Sequence, residues 1–472
     1  MNVLLVTTGV PGADEATPDL GMGYLATSLR KSGHDVDFFD LSQRGQCIEM
    51  LETRLRENAF DLVAVKAFSS ALGLVEQIVN KAKEVLPEST IILGGPHPSC
   101  APEHTMERFP QVDYACVGEG ERCLSFLANQ LAAGELALPS IPGLVYRDKQ
   151  DGKTVRVNPR EPELDLDSLG FPAWDLMPPR EYQSYQAGYP LPVGRVPAPI
   201  SVSRGCPYSC TFCTVHTIMG RRVRYRSPAQ ALDEIEMLVR DYGVDEIHIV
   251  DDLFTLKKDY VMTFCEGLKA RKLKVRWAVP YGIRIDTITP EVVRAMEESG
   301  CCMLALGIES ANQRILDLMN KRLDVTTVRE KVNLLRRNGQ IALLGYFIIG
   351  YPTETPEEIE RTIDFACSLP LQMAGFCTLR LTPGAQILEM AKEEGWTEFS
   401  WDDINVETIW YHPKGISFDE LMKYRRKAYL KFYFHRKRLP FLLRRCTSLR
   451  NIVVLLRLGK RRVFPAHTGR AT

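Results

Sequence analysis

The chain has 472 residues, 45% hydrophobic and 25% charged, proportions that exclude a fibre or a disordered protein and allow two or three packed domains. Thirteen cysteines are too few for a disulfide scaffold of this length and fit a reducing compartment. Net charge is zero, yet residues 421–472 carry 16 Lys and Arg and no Asp or Glu, leaving an equal acidic excess on the rest.

The start, Asn2-Val3-Leu4-Leu5-Val6, lacks the basic residues, long apolar stretch and cleavage site of a signal peptide. No segment reaches the roughly 18 uninterrupted apolar residues of a membrane span, so a cytoplasmic location is expected. There is no internal repeat and no low-complexity tract.

In chain order, Asn2–Val6, Val36–Phe39, Leu62–Val65, Thr90–Leu93 and Tyr114–Val117 are short β-rich runs separated by helical stretches. Continuous apolar strands with crossovers of this length predict a doubly wound parallel sheet of about five strands over residues 1–135. Ligands on such sheets sit at the C-terminal strand edge. Gly94-Gly95 ends the fourth strand and Gly118-Glu119-Gly120-Glu121 the fifth, where missing side chains let a large flat cofactor approach the backbone.

Residues 136–197, rich in Pro and charge, read as a wrapping linker. Over 198–410 the alternation resumes, with strands expected at Pro199–Val202, Glu246–Val250, Val275–Val279, Met303–Gly307, Leu343–Ile349 and Gly375–Leu379. Six βα units predict a partial barrel. Ser227-Pro228-Ala229-Gln230 supplies an N-cap, a first-turn Pro and a capping-box Gln for its first helix. In parallel barrels the chemistry sits on loops after the strands.

The loop after the first barrel strand carries Cys206-Pro-Tyr-Ser-Cys210-Thr-Phe-Cys213. Thiolates suit zinc or iron-sulfur. A structural zinc site needs four protein ligands, and no local Cys or His pair supplies a clear fourth. Three thiolates on a [4Fe-4S] cubane would leave one iron open for a substrate. Other cysteines carry less: adjacent Cys301 and Cys302 chelate poorly and read as core, and Cys377 is a residue that could face the barrel cavity.

This spacing, with an aromatic before the last cysteine, resembles the radical S-adenosylmethionine (SAM) superfamily. The resemblance implies that the open iron chelates SAM and that one electron cleaves it to methionine and a 5'-deoxyadenosyl radical, with Phe212 beside the adenine. Asp251 and Asp252 resemble the acidic edge that holds the SAM amino group, or are strand-end carboxylates. Arg284 resembles a basic residue facing the SAM carboxylate, or makes an ordinary salt bridge. Glu309 and Ser310 stand where that superfamily contacts the ribose, and Gly350-Tyr351-Pro352 resembles its Gly-x-Pro turn beside adenine. A donor of single electrons, such as flavodoxin or ferredoxin, is implied as a partner.

A doubly wound unit ahead of such a barrel resembles the cobalamin-binding members. Pro18-Asp19-Leu20-Gly21, Ser70-Ala71-Leu72, Gly94-Gly95-Pro96-His97 and Gly118-Glu119-Gly120 agree with it, which puts Ser70, Leu72, Gly94, Gly95, Gly118, Glu119 and Gly120 among expected cobalamin contacts. The Asp-x-His-x-x-Gly box that gives cobalt a lower His ligand is missing; Asp40-Leu-Ser42-Gln-Arg-Gly45 mimics it with Ser at the His position. His34 and His97 read as solvated loop histidines.

Thr382-Pro383-Gly384-Ala385 and Trp401-Asp402-Asp403 are similar to loops around the mouth of the family's barrels. Residues 411–472 are expected to be a basic helical region. Leu439–Arg445 and Ile452–Arg457 mix apolar residues with Arg and could lie on an anionic membrane surface or pack on the chain's own acidic body. Nucleic acid is disfavoured by the lack of interleaved aromatics. The resemblance implies methyl transfer from SAM to an unactivated carbon of a small molecule or lipid. Its alternative is radical cyclisation, ring contraction or oxidation without methyl transfer, as in anaerobic magnesium-protoporphyrin ester cyclases.

Overall fold

The computed structural model describes residues 1–9, 16–182, 194–396, 401, 411–436, 438, 440, 441 and 459. Its first sheet contains β1 (Asn2–Thr7), β2 (Asp35–Asp40), β3 (Leu62–Lys66), β4 (Thr90–Gly94), β5 (Tyr114–Cys116), β6 (Leu144–Arg147) and β7 (Val155–Val157), in the order β2-β1-β3-β4-β5-β6-β7. The first five pair in parallel; β6 and β7 add antiparallel. The strand order reverses between β1 and β3, where the C-terminal edge opens a crevice for ligands.

Strand side chains point alternately to the two faces, and both are covered. Leu4, Val63 and Leu93 pack on one side and Val3, Leu62 and Ile92 on the other. The expected linker 136–197 therefore differs from what is seen. Its Leu144–Arg147 and Val155–Val157 segments extend the sheet to seven strands, because Leu144 and Val145 alternate into the two cores beside β5. Two other expectations are corrected. His97 is fully buried and bonded to Ser69 at 2.8 Å and His104 at 3.1 Å, and His34 is buried against Asn129 at 2.9 Å. His97 lies within the short helix Pro96–Cys100 and His34 packs on the helix Gly120–Ala133 that carries Asn129, so neither is a solvated loop side chain.

The second sheet is the partial barrel. It runs β8 (Pro197–Ile200), the short hairpin β9 (Ser203–Arg204) with β10 (Arg224–Tyr225), then β11 (Glu246–Ile249), β12 (Arg276–Ile283), β13 (Cys301–Glu309), β14 (Ala342–Ile349) and β15 (Met373–Thr378). Six strands, β8 and β11 to β15, pair in parallel in sequence order. β8 and β15 do not pair with each other, so the barrel stays open. β8 is an edge strand whose Pro197 and Pro199 remove two donors. The other edge, β15, is covered by helix Phe418–Tyr433, whose Tyr429 and Phe432 rings meet Phe376 edge-on.

Helix starts follow the local code. Ser227 accepts from the Gln230 N–H at 3.2 Å and Pro228 fills the first turn. The Gln230 side chain, however, turns to Arg226 and to the Asp167 carbonyl instead of closing a capping box. Among the described residues no helix is long and apolar enough to cross a membrane.

Candidate functional site

β9 delivers the chain into the cysteine loop through Gly205, whose φ of +95° suits glycine. A Cβ there would lie 2.5 Å from the Arg222 carbonyl oxygen. The loop is then tied on several sides. The Cys206 N–H donates to Gly220 at 3.2 Å, the Thr211 N–H to Met319 at 3.1 Å, and the Asn320 amide to the Ser209 carbonyl at 3.0 Å. The Thr211 and Tyr351 hydroxyls share a hydrogen bond from below.

Cys206, Cys210 and Cys213 line a cavity of about 930 Å³. Burial pushes all three thiols up, Cys213 to about 11, so a cation must bind to hold them as thiolates. The donor set is soft and lacks a carboxylate, which suits iron-sulfur. Among the described residues no three side chains converge on a single metal ion. A cubane needs no such convergence, because each thiolate binds its own iron.

Carboxylates and cations crowd the same wall. Asp251, at the end of β11, accepts from the Val202 N–H at 2.8 Å and the Ser203 hydroxyl at 2.5 Å, and burial raises it to about 7. Asp252 faces the open cavity, yet protein surrounds it, and desolvation raises it to about 6. Glu309 ends β13 at a register shift with φ +65°, rare for a residue with a side chain. It pairs with Lys321 at 2.6 Å, both nearly buried. Burial works against the Lys321 charge, but Glu309 and Cys210 prevail and raise its pKa. Gly307 makes room for the pair: a Cβ there would lie 2.8 Å from Glu309 and 2.9 Å from Lys321.

The opposite wall belongs to the first sheet. Asp19 caps the helix Leu20–Lys31 through the Met22 N–H at 3.2 Å and grips Lys66 with both oxygens at 2.8 Å. Burial opposes the Asp19 charge, but Lys66 holds this carboxyl below its usual range. Ser42 also lies on this wall, bonded to Asp40 at 2.6 Å.

A narrower cavity of about 300 Å³ runs on from this wall into the first domain. Gly94, Gly95, Gly118 and Gly120 line it together with apolar Leu25 and Leu124, and the two cavities meet at Lys66, Asp251 and Asp252. A Cβ on Gly94 would meet nothing within 4 Å, so its absence keeps the cavity open. Gly118, at φ +83°, would clash at 2.7 Å with Arg160. A broad chamber continuing into a thin apolar slot fits cobalamin, a wide ring with a narrow nucleotide tail. Among the described residues no histidine lines either cavity.

The predicted positions thus separate. Phe212, Asp251, Asp252, Arg284 and Glu309 come together around the thiols. Ser310 faces the other side of its strand, bonded to the Asn312 N–H at 3.1 Å, and Gly350 faces Leu421. Arg284 is engaged elsewhere: it pairs with Asp286 at 2.8 Å, donates to the Lys321 and Arg322 carbonyls, and lies 3.8 Å over the Tyr208 ring. Gly94, Gly95, Gly118, Glu119 and Gly120 line the narrow cavity, with the Glu119 carboxylate bonded to Arg204 and Arg224. Ser70 and Leu72 line neither, and Leu72 is core. Lys321, Tyr208, Asp19 and Lys66 were not singled out as site residues from sequence. Lys321 sits in the turn Asn320-Lys321-Arg322, whose flanking residues have positive φ, a strained feature that only the fold reveals.

The family model of the Radical SAM superfamily matches residues 200–366 and that of the B12 binding domain residues 10–127. An uncharacterised methyltransferase of Pyrococcus horikoshii is 32% identical over 426 residues, 89% of this chain and 88% of that one. The anaerobic magnesium-protoporphyrin IX monomethyl ester cyclase of Cereibacter sphaeroides is 29% identical over 88% of this chain and 67% of its own. The radical SAM methyltransferase TsrM of Kitasatospora setae shares the fold, with a TM-score of 0.68 at 22% identity, covering 84% of this chain and 77% of that one. The cysteine loop, the two-part cavity and these matches agree: the chain belongs to the cobalamin-binding radical SAM enzymes.

Proposed function

We propose that this enzyme transfers a SAM-derived methyl group to an unactivated carbon of a small molecule. One observation carries the reading: the cavity lined by the three cluster thiols adjoins, at Lys66, Asp251 and Asp252, the cavity lined by the glycine-rich edge of the first sheet. When bound there, the cluster supplies the electron that cleaves SAM and cobalamin carries a methyl group. Cys206, Cys210 and Cys213 hold the cluster, and Phe212 closes the adenine side. Asp251 and Asp252 attract the cationic end of SAM, while Lys321, held by Glu309 and acting on Cys210, meets its carboxylate. Gly94, Gly95, Gly118 and Gly120 admit cobalamin, and the apolar slot behind them excludes water.

The test is anaerobic reconstitution with iron, sulfide and hydroxocobalamin, then reduction with methyl-labelled SAM. Label on cobalamin together with 5'-deoxyadenosine is expected. 5'-Deoxyadenosine without any labelled cobalamin supports radical cyclisation instead, the second reading that similarity to the cyclase favours.

A lipid or membrane-bound acceptor suits the basic C-terminal region. Of the tail 437–472 only Arg438, Pro440, Phe441 and Gly459 are among the described residues. Helix Phe418–Tyr433 just before it presents Lys423, Arg426, Lys427 and Lys431 around one groove. Removing residues 437–472 should release the protein from anionic vesicles; unchanged binding would count against the membrane reading.

A further inference from the structure

The outer side of the cysteine loop is edged with arginine. The exposed Arg221 donates to the Ser209 hydroxyl, one residue before Cys210. Arg222 follows it, its carbonyl against Gly205. On one flank exposed Arg160 donates to the Thr217 carbonyl and to that of Ile218 at 3.1 Å. On the other, exposed Arg322 contacts Asn320, whose amide holds Ser209. Contacts therefore tie the guanidinium groups of Arg160 and Arg221 to the 206–220 segment directly and that of Arg322 through Asn320, while exposed Arg222 lies beside them in the chain with its carbonyl against Gly205. The guanidinium groups of Arg160, Arg221 and Arg322 meet carbonyls, a hydroxyl and an amide, and among the described residues none of the four arginines forms an ion pair with a carboxylate.

Some exposed arginines elsewhere on this chain are paired, as Arg30 is with Asp175 and Arg156 with Asp148, and others, such as Arg180 on the Tyr242 carbonyl and Arg294 on Asn338, are not; what distinguishes these four is that they gather at one loop. Four unneutralised guanidinium groups around one short loop make a local positive field on a protein whose net charge is zero. Such a field accelerates encounters with an acidic partner and orients them. The loop beneath it carries the three thiols that would hold the cluster, a group that takes its electron from outside.

We propose that Arg160, Arg221, Arg222 and Arg322 form the docking face for a small acidic one-electron carrier protein. This rests on the cluster reading above. The carrier's flavin, as the anionic hydroquinone, gives one electron to the cluster and becomes the neutral semiquinone; no proton changes hands. The contact is small and salt-sensitive, as electron-transfer encounters are, so the carrier leaves once oxidised. Charge alone would also attract nucleic acid or anionic lipid. The position of the patch, one residue from a cluster ligand, favours the carrier.

The test uses the full chain, with and without its cluster, and reduced flavodoxin as probe. Binding is measured by titration calorimetry between about 20 and 200 mM salt, a range over which screening of exposed charges grows strongly. Arg222→Glu combined with Arg322→Glu, at positions outside the thiol cavity, should weaken flavodoxin binding at least tenfold and flatten its salt dependence; Gln at both positions should give an intermediate loss. SAM cleavage driven by flavodoxin should fall in parallel, while cleavage driven by dithionite, which needs no docking, should stay at the wild-type rate. Equal loss with both reductants would make the arginines mere supports of the loop and overturn the proposal. So would wild-type affinity in the Glu variant, or a preference of the patch for anionic vesicles or single-stranded DNA over flavodoxin. If dithionite drives no SAM cleavage in the wild-type protein, the cluster reading fails instead.

Discussion

Asp251 and Asp252 stand side by side at the end of β11, and desolvation raises them to about 7 and about 6. A carboxyl raised in the folded state holds a proton that the unfolded chain has released. Its stabilising contribution is therefore full below the unfolded value of 3.8 and is lost as pH rises through 6 and 7. Asp251→Asn should thus narrow the stability difference between pH 5.5 and pH 8 in the SAM-free protein, as read by urea unfolding. Ligand binding runs the other way. An arriving cation favours the ionised carboxylate, so SAM should bind about tenfold more tightly at pH 7 than at pH 5. Calorimetry should show that dependence flatten in Asp252→Asn; an unchanged slope would remove Asp252 from the SAM site. The cysteines and strand-end acids were legible because their spacing and their place after a strand encode where they sit. Lys321 and the Asp19–Lys66 pair were not, because each acquires its position only when distant segments meet. Ser310 was misjudged by one residue of strand alternation, Glu309 facing the chamber and Ser310 turning away.

The six barrel strands emerge within a few residues of where their apolar runs predict them, since strands buried in a parallel sheet need no alternation to be recognised. β6 and β7 escaped because proline, glycine and charge on either side resemble a linker, although Leu144-Val145 is a strand-like pair. How the open barrel treats its edges was also hidden. Backbone groups of β15 that would face a neighbouring strand are met by side chains one helical turn apart. The Tyr433 hydroxyl bonds the Ala374 N–H at 3.1 Å and its carbonyl at 3.0 Å; the Tyr429 hydroxyl accepts from the Phe376 N–H at 3.1 Å. Residues four apart share a helix face, so the pair acts as a substitute strand. Removing a partner from a buried backbone group costs about 1–3 kcal/mol. Tyr429→Phe and Tyr433→Phe should each destabilise the barrel by about that much, and the double variant should expose β15 amides to hydrogen exchange. Protection equal to wild type would mean that apolar packing by Phe432 alone covers this edge.

The two domains are joined by buried charge, and the join passes beside both cofactor cavities. Arg204, two residues before Cys206, pairs with Glu119 at 2.9 Å and Glu121 at 2.7 Å; Arg224 also grips Glu119. Arg204 lies 4.9 Å over the ring of Tyr24, whose hydroxyl accepts from Arg226 at 3.2 Å, and Arg226 in turn pairs with Glu234. None of this was visible in the sequence, where Gly118-Glu119-Gly120 reads as a cofactor edge. The glycines do line the narrow cavity, but the carboxylate between them turns to the barrel. A buried ion pair adds little net stability against an apolar alternative, yet breaking one strands a charge and costs about 3–5 kcal/mol. Glu119→Gln should therefore lower stability by roughly that amount, because Arg204 and Arg224 lose their shared partner. It should also speed proteolysis between the domains and weaken hydroxocobalamin binding, since the slot glycines flank this residue. Arg204→Met, which removes the cation instead, should loosen the cysteine loop and broaden the electron paramagnetic resonance signal of the reduced cluster. Glu119→Gln with wild-type cobalamin affinity and proteolytic resistance would show that apolar contacts alone hold the domains. The predicted combination, both properties lost together, would make the clamp the element that brings the cluster loop and the cobalamin slot onto adjoining cavities.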